Sequence, residues 1–510
     1  MYWVRKDVLP MDRTLLSSKR SALSLLGYAA LVASPFLLLL IVSLVLGQNA
    51  LAVYPVWGDE LDFWRGLYSW NEMGLRTGYY GMLENIAPVG TLGISGVGPL
   101  LIYGWFVKLF GMTNHTIVLC NAVWASLAAL VFCAIRRPRP AVSFALAAFM
   151  LCYAPMVLYC VTSMTECFNY ALMLLYLTFL LAYQEKRKPW ALALCCLTVI
   201  FGCLYRPMYA VLFLPVILFF SRYRFGARMV GSGLLALALA AACAYVAQLS
   251  AAPDAQGYVY HLLRAPDAQT FVHMLLSHTK ANLTDYFTRA THSAMQSAFR
   301  YLYCGTTLLC LVVSFLRVER CEGRLQLKAG YHGPIFSCFC LLAAAFAFTM
   351  LFYRVNDWQD FRRLAPFLFL VIAYLIARHR FVIPCATLAA CVVTLALLIA
   401  RPEGVFVDAG RFTPPEAPES LPEVIAAIPY DEEAENPFDN TIRTDVMSYS
   451  LADGLHPGLG VQSGWMSAET IGKSRWILTD QLKCPLNDYE NVLDTGDYKL
   501  YRRLTPLKEE

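Results

Sequence analysis

The stretch LSLLGYAALVASPFLLLLIVSLVLG, residues 23–47, decides the fold, because it holds no charged residue from end to end. A helix needs ~20 apolar residues to cross a bilayer, and this run exceeds that. Five Lys/Arg precede it up to Arg20, and no small-residue cleavage pattern follows, so it reads as an uncleaved signal anchor. Just beyond it comes PVWGDELDFW, Pro55 to Trp64, where Asp59, Glu60 and Asp62 sit among bulky aromatics. Carboxylates at a membrane edge are costly enough that their neighbours need inspection.

The apolar pattern recurs along the chain. Its 510 residues are 58% hydrophobic with a mean hydropathy of +0.51, the balance of a polytopic membrane protein. Runs of spanning length fall at about 23–47, 115–135, 141–160, 168–183, 190–204, 207–221, 229–249, 301–316, 333–353, 364–377 and 381–400. A further run, GPLLIYGWFVKLFG at 98–111, is expected to lie as a helix in the outer interface. That choice leaves about eleven spans and keeps RRPRP, Arg136 to Pro140, on the inner side. The inner segments then hold 20 Lys/Arg, whereas the outer loops hold 11 against 11 acids. The positive-inside rule thereby puts the N-terminus in the cytoplasm and the C-terminus outside a cell membrane.

Residues 401–510 carry 10 Lys/Arg against 20 Asp/Glu, the reverse of residues 1–400 with 31 against 16. Two units are expected: a membrane domain, 1–400, with outer loops 48–113 and 250–300, and a small soluble α/β domain, 401–510, on the outer side. Candidate strands in the tail are 440–447, 474–480 and YKLYRR, Tyr498 to Arg503. Nothing basic or aromatic enough for nucleic acid occurs. Most of the 17 cysteines lie in apolar runs, where they act as small hydrophobes, and none has zinc-site spacing.

This topology gathers the notable charges on one side. Asp59 and Glu60 lie in the first outer loop, and Glu166 follows the third span. Arg206 sits at the turn CLYRPMY, while Arg354, Asp357, Asp360, Arg362 and Arg363 share YRVNDWQDFRR. Any one of these could be a plain interfacial anchor; as a set they suit a reaction. A carboxylate beside an apolar groove can take a proton from an attacking hydroxyl. Arginine forks match the oxygens of a phosphate ester. A lipid-linked sugar phosphate needs both, and Tyr54, Trp57 and Trp64 could pack on its sugar, although an aromatic belt explains them equally.

Read in order, these motifs resemble the GT-C superfamily of polyprenyl-phosphate-sugar-dependent glycosyltransferases. The likeness is greatest to the branch of protein O-mannosyltransferases and lipid A aminoarabinose transferases. It rests on Asp59-Glu60 after the first span, on Pro99-Leu100 to Gly111, and on Ser163-x-x-Glu166. It continues with Leu204-x-Arg206-Pro207 and Arg362-x-x-x-Pro366. The resemblance implies a polytopic helical fold and inverting transfer of one sugar from a polyprenyl phosphate to an extracytoplasmic hydroxyl, with Asp59 as base. The acceptor would be a protein, a lipid or a cell-wall polymer. Glu60 would shape or share the catalytic site, and Glu166, counted with them, would orient substrate or pair with an arginine. Two positions depart: the family's Arg three residues after the first Asp is Asp62 here, and its basic residue before Pro-Pro-Leu meets GVGPL. Arg206, Arg362 and Arg363 are therefore expected to hold the donor phosphate. No cofactor is expected; Asp62 leaves open a divalent metal bridging Asp59 and Asp62, although two carboxylates alone make a thin metal site.

The outer loop from Asp267 carries Phe271, Met274, Leu275 and His278 at helical spacing, an amphipathic helix on the membrane or over the site. His261, His273, His278 and His292 lack metal spacing. Asn114 and Asn282 head glycosylation sequons, which chance explains. The competing functions are a lipid-sugar transporter or flippase, and an inactive scaffold. A transporter would more often carry mid-span charge and a repeat, and neither is evident.

Overall fold

The computed structural model describes residues 13–74, 80–82, 96–250, 265–288, 294–321, 324–353, 359–379, 409–434, 438–446, 448–463, 474–480 and 488–505, with a few isolated positions besides. The expected span at 381–400, and Arg354, Asp357, His261 and His292, lie outside the described residues.

Among the described residues, six helices are long and apolar enough to cross a membrane. They belong to α1 (Arg13–Leu46), α4 (Thr116–Arg136), α7 (Glu166–Lys186), α10 (Ala227–Ser250), α12 (Ala294–Phe315) and α13 (Gly333–Phe352). Between them in the chain come α2 (Gly58–Met73), α3 (Trp105–Phe110), α5 (Pro140–Cys152), α6 (Ala154–Tyr159), α8 (Pro189–Tyr205), α9 (Phe213–Phe220) and α11 (Ala268–Thr288). α14 (Gln359–Ala377) follows α13. Tail helices are α15 (Leu421–Ala426) and α16 (Tyr449–Gly454).

α7 is the centre of the bundle: it packs on α4, α8 and α14 and is buried almost throughout. α1 and α10 lie outside it and turn leucines such as Leu44 and Leu237 outward. In a bilayer these side chains face lipid, where exposure of apolar groups costs nothing. The run expected as one span at 141–160 is broken at Tyr153 into α5 and α6. Pro155 has no N–H to continue the ladder, and the Tyr153 hydroxyl donates instead to Ala365 O at 2.7 Å on α14. Residues 98–111 form a π turn, Leu100–Gly104, running into α3. Ile102, Tyr103, Phe106 and Val107 are buried, while Leu101, Trp105, Leu109 and Phe110 are exposed, so the element has two apolar faces, as an interfacial helix does.

The tail builds a six-stranded sheet in the order β1-β5-β4-β6-β8-β7. Its strands are β1 (Tyr80–Met82), β4 (Thr441–Thr444), β5 (Gly460–Ser463), β6 (Trp476–Thr479), β7 (Tyr489–Asp494) and β8 (Lys499–Arg503). β1, β5, β4 and β6 run parallel, and β8 and β7 close the far edge antiparallel. The expected strands fall on β4, β6 and β8. β1 was not foreseen: it comes from the first outer loop, with Val461 opposite Tyr80. A separate hairpin, β2 (Leu316–Cys321) with β3 (Arg324–Ala329), joins α12 to α13.

Candidate active site

Asp59 and Glu60 open α2, where carboxylates are favoured by the exposed N–H groups of a helix N-terminus. Their side chains diverge. Glu60 turns inward and is fully buried, accepting at Oε2 from the Val56 and Trp57 amides (3.1 and 3.0 Å) and at Oε1 from the Ser163 amide (2.7 Å). Arg411, itself nearly buried, completes the shell at 2.6 Å and lays its guanidinium 4.6 Å from the Trp57 ring centre. Four donors leave Glu60 no room to act on a substrate. It fixes the start of α2 to the loop that leads into α7.

Asp59 points the other way, and its side chain is 31% exposed. It is paired with Nη1 of Arg362 at the start of α14. Nε of the same arginine donates to Glu166 Oε1 at 2.9 Å, and Arg206 Nη2 reaches that same oxygen at 2.8 Å. The first turns of α2, α7 and α14 and the α8 turn thus meet at one point. Arg206 also donates to the Thr165 hydroxyl at 3.2 Å and lies 4.9 Å from the Tyr205 ring, whose hydroxyl contacts Thr165. Gly98 presses on that tyrosine: a Cβ there would sit 3.0 Å from Tyr205 Cα, so the chain's GVGPL turn needs its glycine. Arg363 stands at the margin with its guanidinium 3.5 Å from the Tyr353 ring centre.

Glu166 is 1% exposed and its Oε2 is buried without a partner among the described residues. A buried acceptor left unpaired is costly, and such an atom beside arginines is a candidate to accept from a ligand hydroxyl. With Asp59, Glu166, Arg206, Arg362 and Arg363 ionised, the cluster carries one net positive charge, suited to an anionic ester.

Of the residues expected to form a site, Asp59, Glu166, Arg206 and Arg362 are joined directly, and Arg363 adjoins them. Trp64 is not with them. It is 2% exposed, stacked on Tyr68 (5.2 Å) and in a T-shaped contact with Tyr449 of α16 (4.9 Å), so its ring is closed to a sugar. Trp57 remains half-buried beside Arg411 and Tyr159. Asp62 lies one turn after Asp59 on α2, and burial, then the charge of Asp59, pushes its carboxyl well above the usual range. No group of three or more His, Cys, Asp or Glu side chains converges among the described residues.

Sequence reasoning missed Thr165, Tyr205 and Arg411, because hydroxyls beside a motif carry no pattern and Arg411 lies in an acidic, Pro-rich tail. It also missed Arg65, which is fully buried on α2. Arg65 Nη1 donates to Ala452 O (2.7 Å) and Leu455 O (2.8 Å), and Nη2 donates to His456 O. The helix that presents Asp59 is therefore held by the tail. On the other flank, α11 docks through Asn282, whose Nδ2 donates to Met350 O (2.8 Å) and Tyr353 O (2.6 Å). The buried Asn282 amide is thus unavailable to a glycosylating enzyme in the folded chain.

No family model matches the chain, and no curated protein matches it. Among solved structures, the chain is similar to the crystal structure of ArnT from Cupriavidus metallidurans bound to undecaprenyl phosphate. That likeness has 11% identity and a TM-score of 0.46, and covers 96% of this chain and 98% of that one. It is also similar to ArnT from the same organism in the apo state, at 13% identity and a TM-score of 0.39, over 91% and 97% of the two chains.

Proposed function

We propose that the protein is an integral-membrane glycosyltransferase that moves one sugar from a polyprenyl-phosphate donor to a hydroxyl of an extracytoplasmic acceptor, with inversion. The observation that supports it is the Arg362 bridge between Asp59 and Glu166. One guanidinium holds both a half-open carboxylate and a buried one, with Arg206 and Arg363 beside it. In this reading the donor phosphate competes for Arg362 and Arg206 and draws them from their carboxylates. Asp59, released from its ion pair, takes the proton of the acceptor hydroxyl as that oxygen bonds to the anomeric carbon. The bond from that carbon to the phosphate oxygen breaks, and the polyprenyl phosphate leaves with the electron pair, its charge met by the arginines. Glu166 Oε2 accepts from a sugar hydroxyl. A protein, lipid or polymer acceptor fits equally. The outer face of a cell membrane is the location that the charge pattern supports.

The test is release of free polyprenyl phosphate by the purified protein, given a polyprenyl-phosphate hexose and envelope extract, beside Asp59→Asn. Release by the wild type alone supports the reading. Equal release by both removes Asp59 as base, and lipid binding without release with several sugars turns the choice to a transporter.

A further inference from the structure

At the other end of the bundle, the last turns of α4, α7 and α14 surround a cavity of about 310 Å³, at the lower limit of ligand pockets, roughly 300–1,000 Å³. Arg136, Arg137, Arg139 and Arg378 line it, with Glu185 its one carboxylate. That carboxylate is already committed: Arg136 Nη1 donates to Glu185 Oε2 at 2.9 Å, Nη2 to Oε1, and Arg378 lies 3.8 Å away. Arg137 and Arg139 are exposed and have no carboxylate partner among the described residues. Arg137 also holds a left-handed conformation, φ 46°, at the end of α4, a position that would ordinarily favour glycine. The cavity floor is apolar, formed by Phe132, Val142, Leu181 and Ala377. Burial and the charge of Arg139 push the His379 imidazole below its usual range, as a positive field does.

α7 runs from the Glu166 end to this cavity, and its 21 residues span about 30 Å at 1.5 Å each, the thickness of a hydrocarbon core. The cavity therefore lies at headgroup depth in the leaflet opposite the Asp59 cluster. We propose that it is a binding site for the phosphate of an anionic glycerophospholipid of that leaflet, with Arg137 and Arg139 on the phosphate oxygens and an acyl chain along the apolar floor. A scatter of basic residues at a membrane face attracts anionic lipid diffusely. A concave site with uncommitted guanidinium groups over an apolar floor holds one molecule.

The test does not depend on the transferase reading, because lipid retention is its readout. The full chain is placed in nanodiscs of phosphatidylcholine with phosphatidylglycerol, and retained lipid is counted by native mass spectrometry. The wild type should retain phosphatidylglycerol preferentially, and Arg137→Gln/Arg139→Gln should lose that preference by on the order of tenfold or more. Arg137→Lys/Arg139→Lys should keep most of it, and raised salt should weaken it in the wild type even if the glutamine variant fails to fold. Equal retention by wild type and glutamine variant, or a preference indifferent to salt, overturns the proposal. Displacement of the lipid by inorganic phosphate at matched concentration overturns the lipid as the ligand in favour of a free anion.

Discussion

Glu60 and Arg411, 351 positions apart in the chain, meet at 2.6 Å in an ion pair that is 0% and 3% exposed. Breaking a buried pair strands a charge and costs about 3–5 kcal/mol. Arg411→Ala is therefore expected to lower the thermal midpoint of the detergent-solubilised protein sharply. Glu60→Gln/Arg411→Gln should cost less than the two single changes added together. Simple additivity in that cycle would mean the pair does not act as a unit.

Arg362 serves two carboxylates at once, so its loss should be felt in donor binding. Arg362→Ala should raise the KM for the polyprenyl-phosphate sugar by on the order of thirtyfold or more, and Arg362→Lys should rescue it only in part, since an ammonium cannot bridge Asp59 and Glu166. Steady-state kinetics with varied donor would show this. An unchanged KM would remove Arg362 from the phosphate site.

The two tryptophans on either side of Asp59 should behave differently. Trp64→Ala should cost about 3–5 kcal/mol of stability without changing the KM of the folded fraction, because its ring is buried against Tyr68 and Tyr449. Trp57→Leu should raise the KM for the sugar donor if its half-buried ring meets the sugar. Chemical denaturation and kinetics on the same preparations separate the two effects, and the same outcome for both residues would contradict the geometry.

Asp62 gives a pH signature. Its carboxyl is raised by burial and by Asp59, so the folded protein holds a proton that the unfolded chain releases near pH 3.9, about the ordinary value. Stability from this group is full below that pH and is lost as pH rises toward the folded value. Asp62→Asn should flatten the difference in this acid window and leave the protein more stable than wild type at neutral pH. Thermal midpoints of both proteins across pH measure it; parallel curves would show that Asp62 is not buried as a neutral acid.

Much of this was legible in the chain because burial of backbone in lipid forces long uncharged helices, and charge placement follows from the same cost. Asp59, Glu166, Arg206 and Arg362 each stand at the edge of an apolar run, so a reading by topology alone gathers them. Long-range pairing left no such trace. The three residues of β1 look like any loop, yet they pair with β5 in the tail sheet. Trp64 reads the same as Trp57 in sequence, and only the position of α16 decides which ring is covered. The break at Tyr153 was hidden because an apolar run continues through it. Pro155 was the local sign, but proline is tolerated inside membrane helices, as Pro35 in α1 shows.

The Arg65 staple has a consequence for the order of events during synthesis. Its acceptor carbonyls at Ala452 and Leu455 lie 387 and 390 residues downstream, a delay of roughly 20–80 s at typical translation rates of 5–20 residues per second. The helix bearing Asp59 is thus inserted beside the membrane long before the groups that fix it exist. A ribosome-bound nascent chain that stops short of Ala452 would own every membrane charge of the site and still be without its final geometry, so synthesis of the segment around Ala452 and Leu455 sets the moment at which the site matures.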